Sequence, residues 1–279
     1  MENEKKTAMD FAAKYEIYNA HCHIYPQKIA DKAVVSIGNF YDIPMDIPVA
    51  TSEMLLADGN EFGTKKYLVC SAATDPSQVE SINSFIIDEC RKHPQFIGFG
   101  TLHADYEGGF EKEVQRIIDG GLCGVKLHTD FQKFNIDDEK TYDMYKALEG
   151  RLPVLFHMGD NRYDYSAPER LARIMEKFPR LHVFAAHLGG YSAWERAEKS
   201  LYGISDNIWY DCSSSLFALS PEKAVELIRK AGVDRVMFGT DFPMWSTEGE
   251  LLRFMALPLT EEEREKILSI NFKKYFGIE

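Results

Sequence analysis

Leu122-Cys123-Gly124-Val125-Lys126-Leu127-His128 is a short, mostly apolar run that stops on a histidine, and Pro153-Val154-Leu155-Phe156-His157 repeats the form further along. Short runs rich in Val, Leu and Phe read as strands buried on both faces. Outward from this pair lie six more: Glu16–His21, Lys66–Ala72, Phe96–His103, His182–His187, Ile208–Ser213 and Arg235–Asp241. From Ala72 onward the strand ends stand roughly 25–31 residues apart, the length of one βα unit. Helical patterns fill the gaps. Phe110, Val114, Ile117 and Ile118 share one helix face, as do Leu171, Ile174, Met175 and Phe178. Ser166-Ala167-Pro168-Glu169 and Thr260-Glu261-Glu262-Glu263 read as capping boxes that open helices. The pattern predicts an α/β chain of one domain, residues 1–279, folded as a (β/α)8 TIM barrel. A doubly wound open sheet is the alternative, but no G-x-G-x-x-G follows the first strand. The long interval after that strand, residues 24–65, contains Pro44 and Pro48 and is expected to form a flap with short helices over the barrel mouth.

With 45% hydrophobic and 27% charged residues, the 279-residue chain has the composition of a soluble globular protein. Its net charge of −12 repels phosphate backbones and speaks against nucleic acid as a partner. Five cysteines, Cys22, Cys70, Cys90, Cys123 and Cys212, form no C-x-x-C pair and are odd in number. They read as reduced thiols in a cytoplasmic protein. Met1 to Lys14 lacks the apolar core of a signal peptide. No apolar run approaches the roughly 18 residues of a membrane span. A small-molecule substrate is the expected partner.

His21-Cys22-His23 ends the first strand, and alternation turns both imidazoles to one face. Six of the eight histidines, His21, His23, His103, His128, His157 and His187, fall at or just past strand ends. In a barrel those ends gather on the face where active sites lie. Asp241 closes the set at the eighth strand. The expected centre is one divalent metal ion held by His21, His23, His157 and Asp241. Zinc suits three imidazoles and a carboxylate, and manganese and iron accept the same donors. His187 is expected to serve in catalysis or as a ligand, His128 to contact substrate, and His103 to rim the pocket. Lys126 shares a face with His128 and reads as a structural lysine, a substrate anchor or a carbamylated bridge between two metals. Arg162 reads equally as a clamp for a substrate carboxylate or phosphate and as a surface salt bridge. Trp194 and Trp245 read as pocket walls or core.

Asn19-Ala20-His21-Cys22-His23, Gly124-Val125-Lys126-Leu127-His128, Leu155-Phe156-His157, Ala186-His187-Leu188-Gly189-Gly190 and Gly239-Thr240-Asp241-Phe242-Pro243 together resemble the amidohydrolase-related family. The resemblance is to the branch that includes aminocarboxymuconate semialdehyde decarboxylase, and it extends to the C-terminal helix from Arg264 to Phe276. It implies that His21, His23 and His157 ligate the metal, that Asp241 both ligates and takes a proton from bound water, and that His187 is catalytic. The fourth strand lacks a clear bridging pattern, which favours one ion over two. Family habit implies a homodimer. The expected activity is hydrolysis of a small ester, lactone or amide by metal-activated water, with His187 stabilising the oxyanion. The alternative is non-oxidative decarboxylation of a small unsaturated or aromatic acid, towards which Arg162 points. A barrel that binds without turnover predicts an incomplete ligand set, and this set is complete.

Overall fold

The computed structural model describes residues 2–279. Eight strands follow one another in chain order within one eight-stranded sheet, β1 to β8 with β2 at Thr64–Cys70, and helices alternate with them as in a (β/α)8 barrel. Two groups of elements are each compact. One comprises residues 2–69, 212–229 and 233–279, and the other 70–211 and 230–232.

The second group holds the central strands β3 (Phe96–Thr101), β4 (Gly124–Leu127), β5 (Val154–Phe156), β6 (Val183–Ala185) and β7 (Ile208–Asp211). Consecutive members pair in parallel, with Phe99 opposite Gly124, Val125 opposite Val154, Val154 opposite Val183 and Val183 opposite Ile208. Every residue of β4 to β7 is buried, as expected of strands covered on both faces. Among the return helices, α5 (Phe110–Asp119) buries Val114 and Ile117, and α8 (Pro168–Lys177) buries Leu171, Ile174 and Met175. These are among the residues whose spacing predicted the two helices, while Phe110 and Ile118 are half-buried.

In the first group, β1 (Ile17–His23) runs beside β8 (Val236–Met237). Ala20 N–H donates to Phe238 O at 2.9 Å, His23 N–H donates to Phe242 O at 2.7 Å, and Cys22 bridges Phe242 in parallel. Cys212, just past β7, donates to Met237 O at 3.0 Å. The insertion 24–65 carries α2 (Ala30–Tyr41) and α3 (Ser52–Asn60). It is fastened to the segment after β8: Asp46 N–H donates to Met244 O and Ile47 N–H to Pro243 O, at 3.1 and 3.2 Å.

Two local expectations part company. Thr260 forms the predicted capping box with Glu263 and opens α12 (Glu261–Glu265). Ser166 does not cap α8, whose N-cap is Ala167 with no side-chain hydrogen bond. Its hydroxyl is committed to a buried carboxylate instead. The predicted run Arg235–Asp241 also shrinks to a two-residue strand, because Phe238 N–H turns to Ile267 O at 2.8 Å and Asp241 adopts a left-handed conformation with φ of 54°.

Candidate functional site

In the first group, strand alternation places the rings of His21 and His23 side by side, with centroids 5.1 Å apart. Their Nε2 atoms lie 3.5 and 3.3 Å from the same oxygen, Oδ1 of Asp241. Ser213 Oγ stands 3.2 Å from His21 Nδ1 and fixes which nitrogen faces Asp241. Asp241 Oδ2 accepts a hydrogen bond from Ser214 Oγ at 2.6 Å. Both residues adopt left-handed backbone conformations, with φ of 54° at Asp241 and 45° at Ser214. Such conformations cost a non-glycine residue about 1–2 kcal/mol and cluster at functional sites. Asn19 secures the strained turn, donating from Nδ2 to Thr240 Oγ1 at 2.8 Å and accepting from Thr240 N–H at 3.0 Å. The Asn-Ala-His and Gly-Thr-Asp motifs are thereby tied together.

These donors fit a metal ion. Two imidazole nitrogens converging on one carboxylate oxygen at 3.3–3.5 Å stand too far away for strong hydrogen bonds. The spacing matches the roughly 3.4 Å between neighbouring ligands held tetrahedrally about 2.1 Å from a zinc-sized ion.

In the second group, His187 Nε2 lies 3.0 Å from His157 Nδ1. His157 stacks on His128 at 4.0 Å and 5°, and His128 stacks on Phe131 at 3.8 Å and 15°. Parallel stacking sets His128 against His157 as a buttress. The Tyr191 ring flanks His157 and His187 at 5.6 and 5.8 Å. His187, Leu188 and Tyr191 all have positive φ, at 60°, 53° and 32°. Trp194 donates from Nε1 to His187 O at 2.9 Å and so steadies this turn.

The same group contains a residue that the sequence reading missed. Asp130 is fully buried, with Oδ2 3.7 Å from His157 Nε2. Ser166 Oγ donates to Oδ2 at 2.6 Å and accepts from Gly159 N–H at 3.0 Å. Oδ1 has no hydrogen-bond partner among the described residues. Burial pushes its pKa from the usual carboxylate range up to about 7. His128, Asp130 and His157 form a compact donor cluster. The sequence signal was present, since Asp130 lies two residues past His128, in the short helix Thr129–Gln132 that follows β4.

The other expected residues, Trp245 apart, take separate positions. Lys126 is wholly buried within β4. Arg162 is half-exposed and grips the buried carboxylate of Asp160, with Nε at 3.0 and 3.2 Å and Nη2 at 2.6 Å. His103 accepts from Asp105 N–H at 3.1 Å, and burial lowers its pKa. Trp245 donates from Nε1 to Ser214 Oγ at 3.0 Å and therefore belongs to the Asp241 cluster.

The model of the amidohydrolase family matches residues 18–278. No curated protein matches the sequence. Among solved structures, the chain resembles 5-carboxyvanillate decarboxylase from Sphingomonas paucimobilis, at 14% identity and a TM-score of 0.73, covering 95% of this chain and 99% of that one. The 5-carboxyvanillate decarboxylase of Novosphingobium aromaticivorans, complexed with manganese and 4-hydroxy-3-methoxy-5-nitrobenzoic acid, matches at 18% identity and 0.73, covering 94% and 96%. The 2,6-dihydroxybenzoate decarboxylase from Rhizobium matches at 17% identity and 0.67, covering 95% and 99%. Among the described residues, no helix is long and apolar enough to cross a membrane.

Proposed function

The chain belongs to the amidohydrolase family, and on that premise we propose that it is a metal-dependent decarboxylase of a small aromatic or unsaturated acid. The likeness to decarboxylases over nearly the full length of both chains carries this reading. It takes the alternative of the sequence analysis over ester, lactone or amide hydrolysis.

His21, His23 and Asp241 supply three donors, and the family resemblance implies His157 as a fourth. Manganese(II) is the favoured ion, from its presence in the similar Novosphingobium enzyme, and zinc is the competitor. When bound, the ion fixes the acid and draws electron density from it. The chain's own residues do the rest. The C–C bond to the carboxylate breaks, carbon dioxide leaves, and a proton replaces it on carbon. His187 is the group assigned to deliver that proton, its orientation set by His157 and Trp194. Buried aromatic rings, including Tyr191, keep water from the carbanion-like centre.

The test is product analysis on the manganese-reconstituted enzyme, with hydroxybenzoic acids and unsaturated diacids in one panel and lactones, esters and amides in another. Carbon dioxide released in step with the decarboxylated product supports the reading. Turnover confined to the second panel returns the enzyme to hydrolysis.

A further inference from the structure

Asp241 turns its two oxygens to different partners. Oδ1 faces His23 and His21 at 3.3 and 3.5 Å, while Oδ2 lies 2.6 Å from Ser214 Oγ. The same serine oxygen stands 3.0 Å from Trp245 Nε1. An indole N–H only donates, so Ser214 accepts there, and its own hydrogen goes elsewhere. Two acceptors are in reach, Asp241 Oδ2 at 2.6 Å and the Met244 thioether at 3.3 Å. A carboxylate is much the stronger acceptor of the two. The donor order is therefore fixed: Trp245 to Ser214 to Asp241.

We propose that Ser214 and Trp245 are positioning residues that make Asp241 a one-oxygen metal ligand. Oδ2 is committed to the serine hydroxyl, and Oδ1 alone is presented beside the two imidazoles. The inference rests on the metal centre of the preceding section. The indole is itself held in place. It packs against Phe217 at 4.8 Å, and the Arg253 guanidinium lies over it at 4.4 Å. Arg253 in turn pairs with the buried carboxylate of Glu250. The main-chain bonds from Asp46 and Ile47 grip Met244 and Pro243 immediately before it. Through them the insertion braces the metal-binding turn.

The test is metal affinity rather than turnover. Metal-stripped wild type, S214A, W245F and the double variant are titrated with manganese(II) alone and with zinc(II) alone, and apo-protein thermal midpoints are recorded in parallel. Loss of a group that orients a ligand typically weakens metal binding by about 10-fold to 100-fold. About 10-fold is expected for each single variant, with apo midpoints close to wild type. The double variant should lose little more than the worse single variant, because both act through the same Ser214–Asp241 hydrogen bond. S214A leaves the aromatic packing untouched, so it decides the question if W245F does not fold. Wild-type affinity in S214A and W245F overturns the inference while leaving the metal centre standing. A wild-type protein that binds neither ion removes the centre itself, and the inference with it.

Discussion

Asp241 and Asp130 are held by the same device and left in different surroundings. In each, Oδ2 accepts from a serine hydroxyl at 2.6 Å, and that serine is oriented by an N–H donor: Trp245 Nε1 for Ser214, the Gly159 main chain for Ser166. The difference lies in the remaining oxygen. Asp241 Oδ1 meets two imidazole nitrogens in a cluster that solvent still reaches, whereas Asp130 Oδ1 meets no donor and its side chain is sealed. One serine bond does not offset the desolvation of a buried carboxylate, so Asp130 holds its proton to about pH 7. The lesson is that a serine fixes where a carboxylate points, while the second oxygen's surroundings decide whether it serves as an anionic ligand.

The largest predicted effect tests that division directly. Asp241→Asn should lose bound metal and lower kcat/KM by roughly 10³-fold, which corresponds to about 4 kcal/mol of lost transition-state stabilisation. Asp130→Asn should keep about one metal per chain and lose only about 10-fold in kcat/KM, through a less firmly placed His157. Elemental analysis and steady-state kinetics on both variants check this. If Asp130→Asn empties the centre as completely as Asp241→Asn, Asp130 is itself a ligand and the contrast collapses.

A third buried carboxylate sharpens the comparison, because no serine holds it. Glu250, in α11 (Thr247–Met255), reaches Arg253 through Oε1, while Oε2 has no hydrogen-bond partner among the described residues. Burial raises its pKa to about 8 against the pull of Arg253. The native state thus keeps a proton that the unfolded chain releases near the ordinary glutamate value. The stabilising contribution is full below that ordinary value and is lost as pH rises through about 8. Glu250→Gln keeps the acceptor for Arg253 and cannot ionise. Its stability relative to wild type should therefore grow by about 1 kcal/mol or more between about pH 5 and pH 8. Thermal melts across that range measure it, and a gap that stays constant with pH would show that Glu250 is already ionised in the native state.

The barrel was legible because buried parallel strands and return helices leave periodic marks: Val125, Val154 and Val183 fall in register, and the predicted apolar faces of α5 and α8 are the buried ones. His21, His23 and Asp241 were legible as a group because each ends or follows a strand. The serines were not. Ser166-Ala167-Pro168-Glu169 is indistinguishable in sequence from a capping box, and only the position of Asp130 diverts the hydroxyl. Ser213 ended an apolar run and Ser214 followed it, with nothing to say that they would orient His21 and Asp241. Trp245 read as wall or core because an indole's one hydrogen bond leaves no periodic trace. Local patterns record burial well, and they record poorly which of several polar neighbours a hydroxyl will choose.

Arg162 gives the smallest predicted effect on catalysis and the last contrast between a carboxylate that is held and one that is free. Sequence left it balanced between a substrate clamp and a salt bridge. In the structure its guanidinium already spends Nε and Nη2 on Asp160, whose carboxylate also accepts the Arg162 main-chain N–H at 2.9 Å. Engaging a substrate carboxylate would mean giving up a partner that is itself buried, so the pair is better placed to shape the loop after β5 than to bind an acid. Arg162→Gln retains the main-chain bond to Asp160. It should cost about 1–3 kcal/mol of stability, because the buried Asp160 carboxylate loses its charged partner, and change KM for an aromatic acid by less than about 3-fold. A KM raised about 10-fold or more with kcat unchanged would restore the clamp, since loss of binding shared by ground and transition states appears in KM alone.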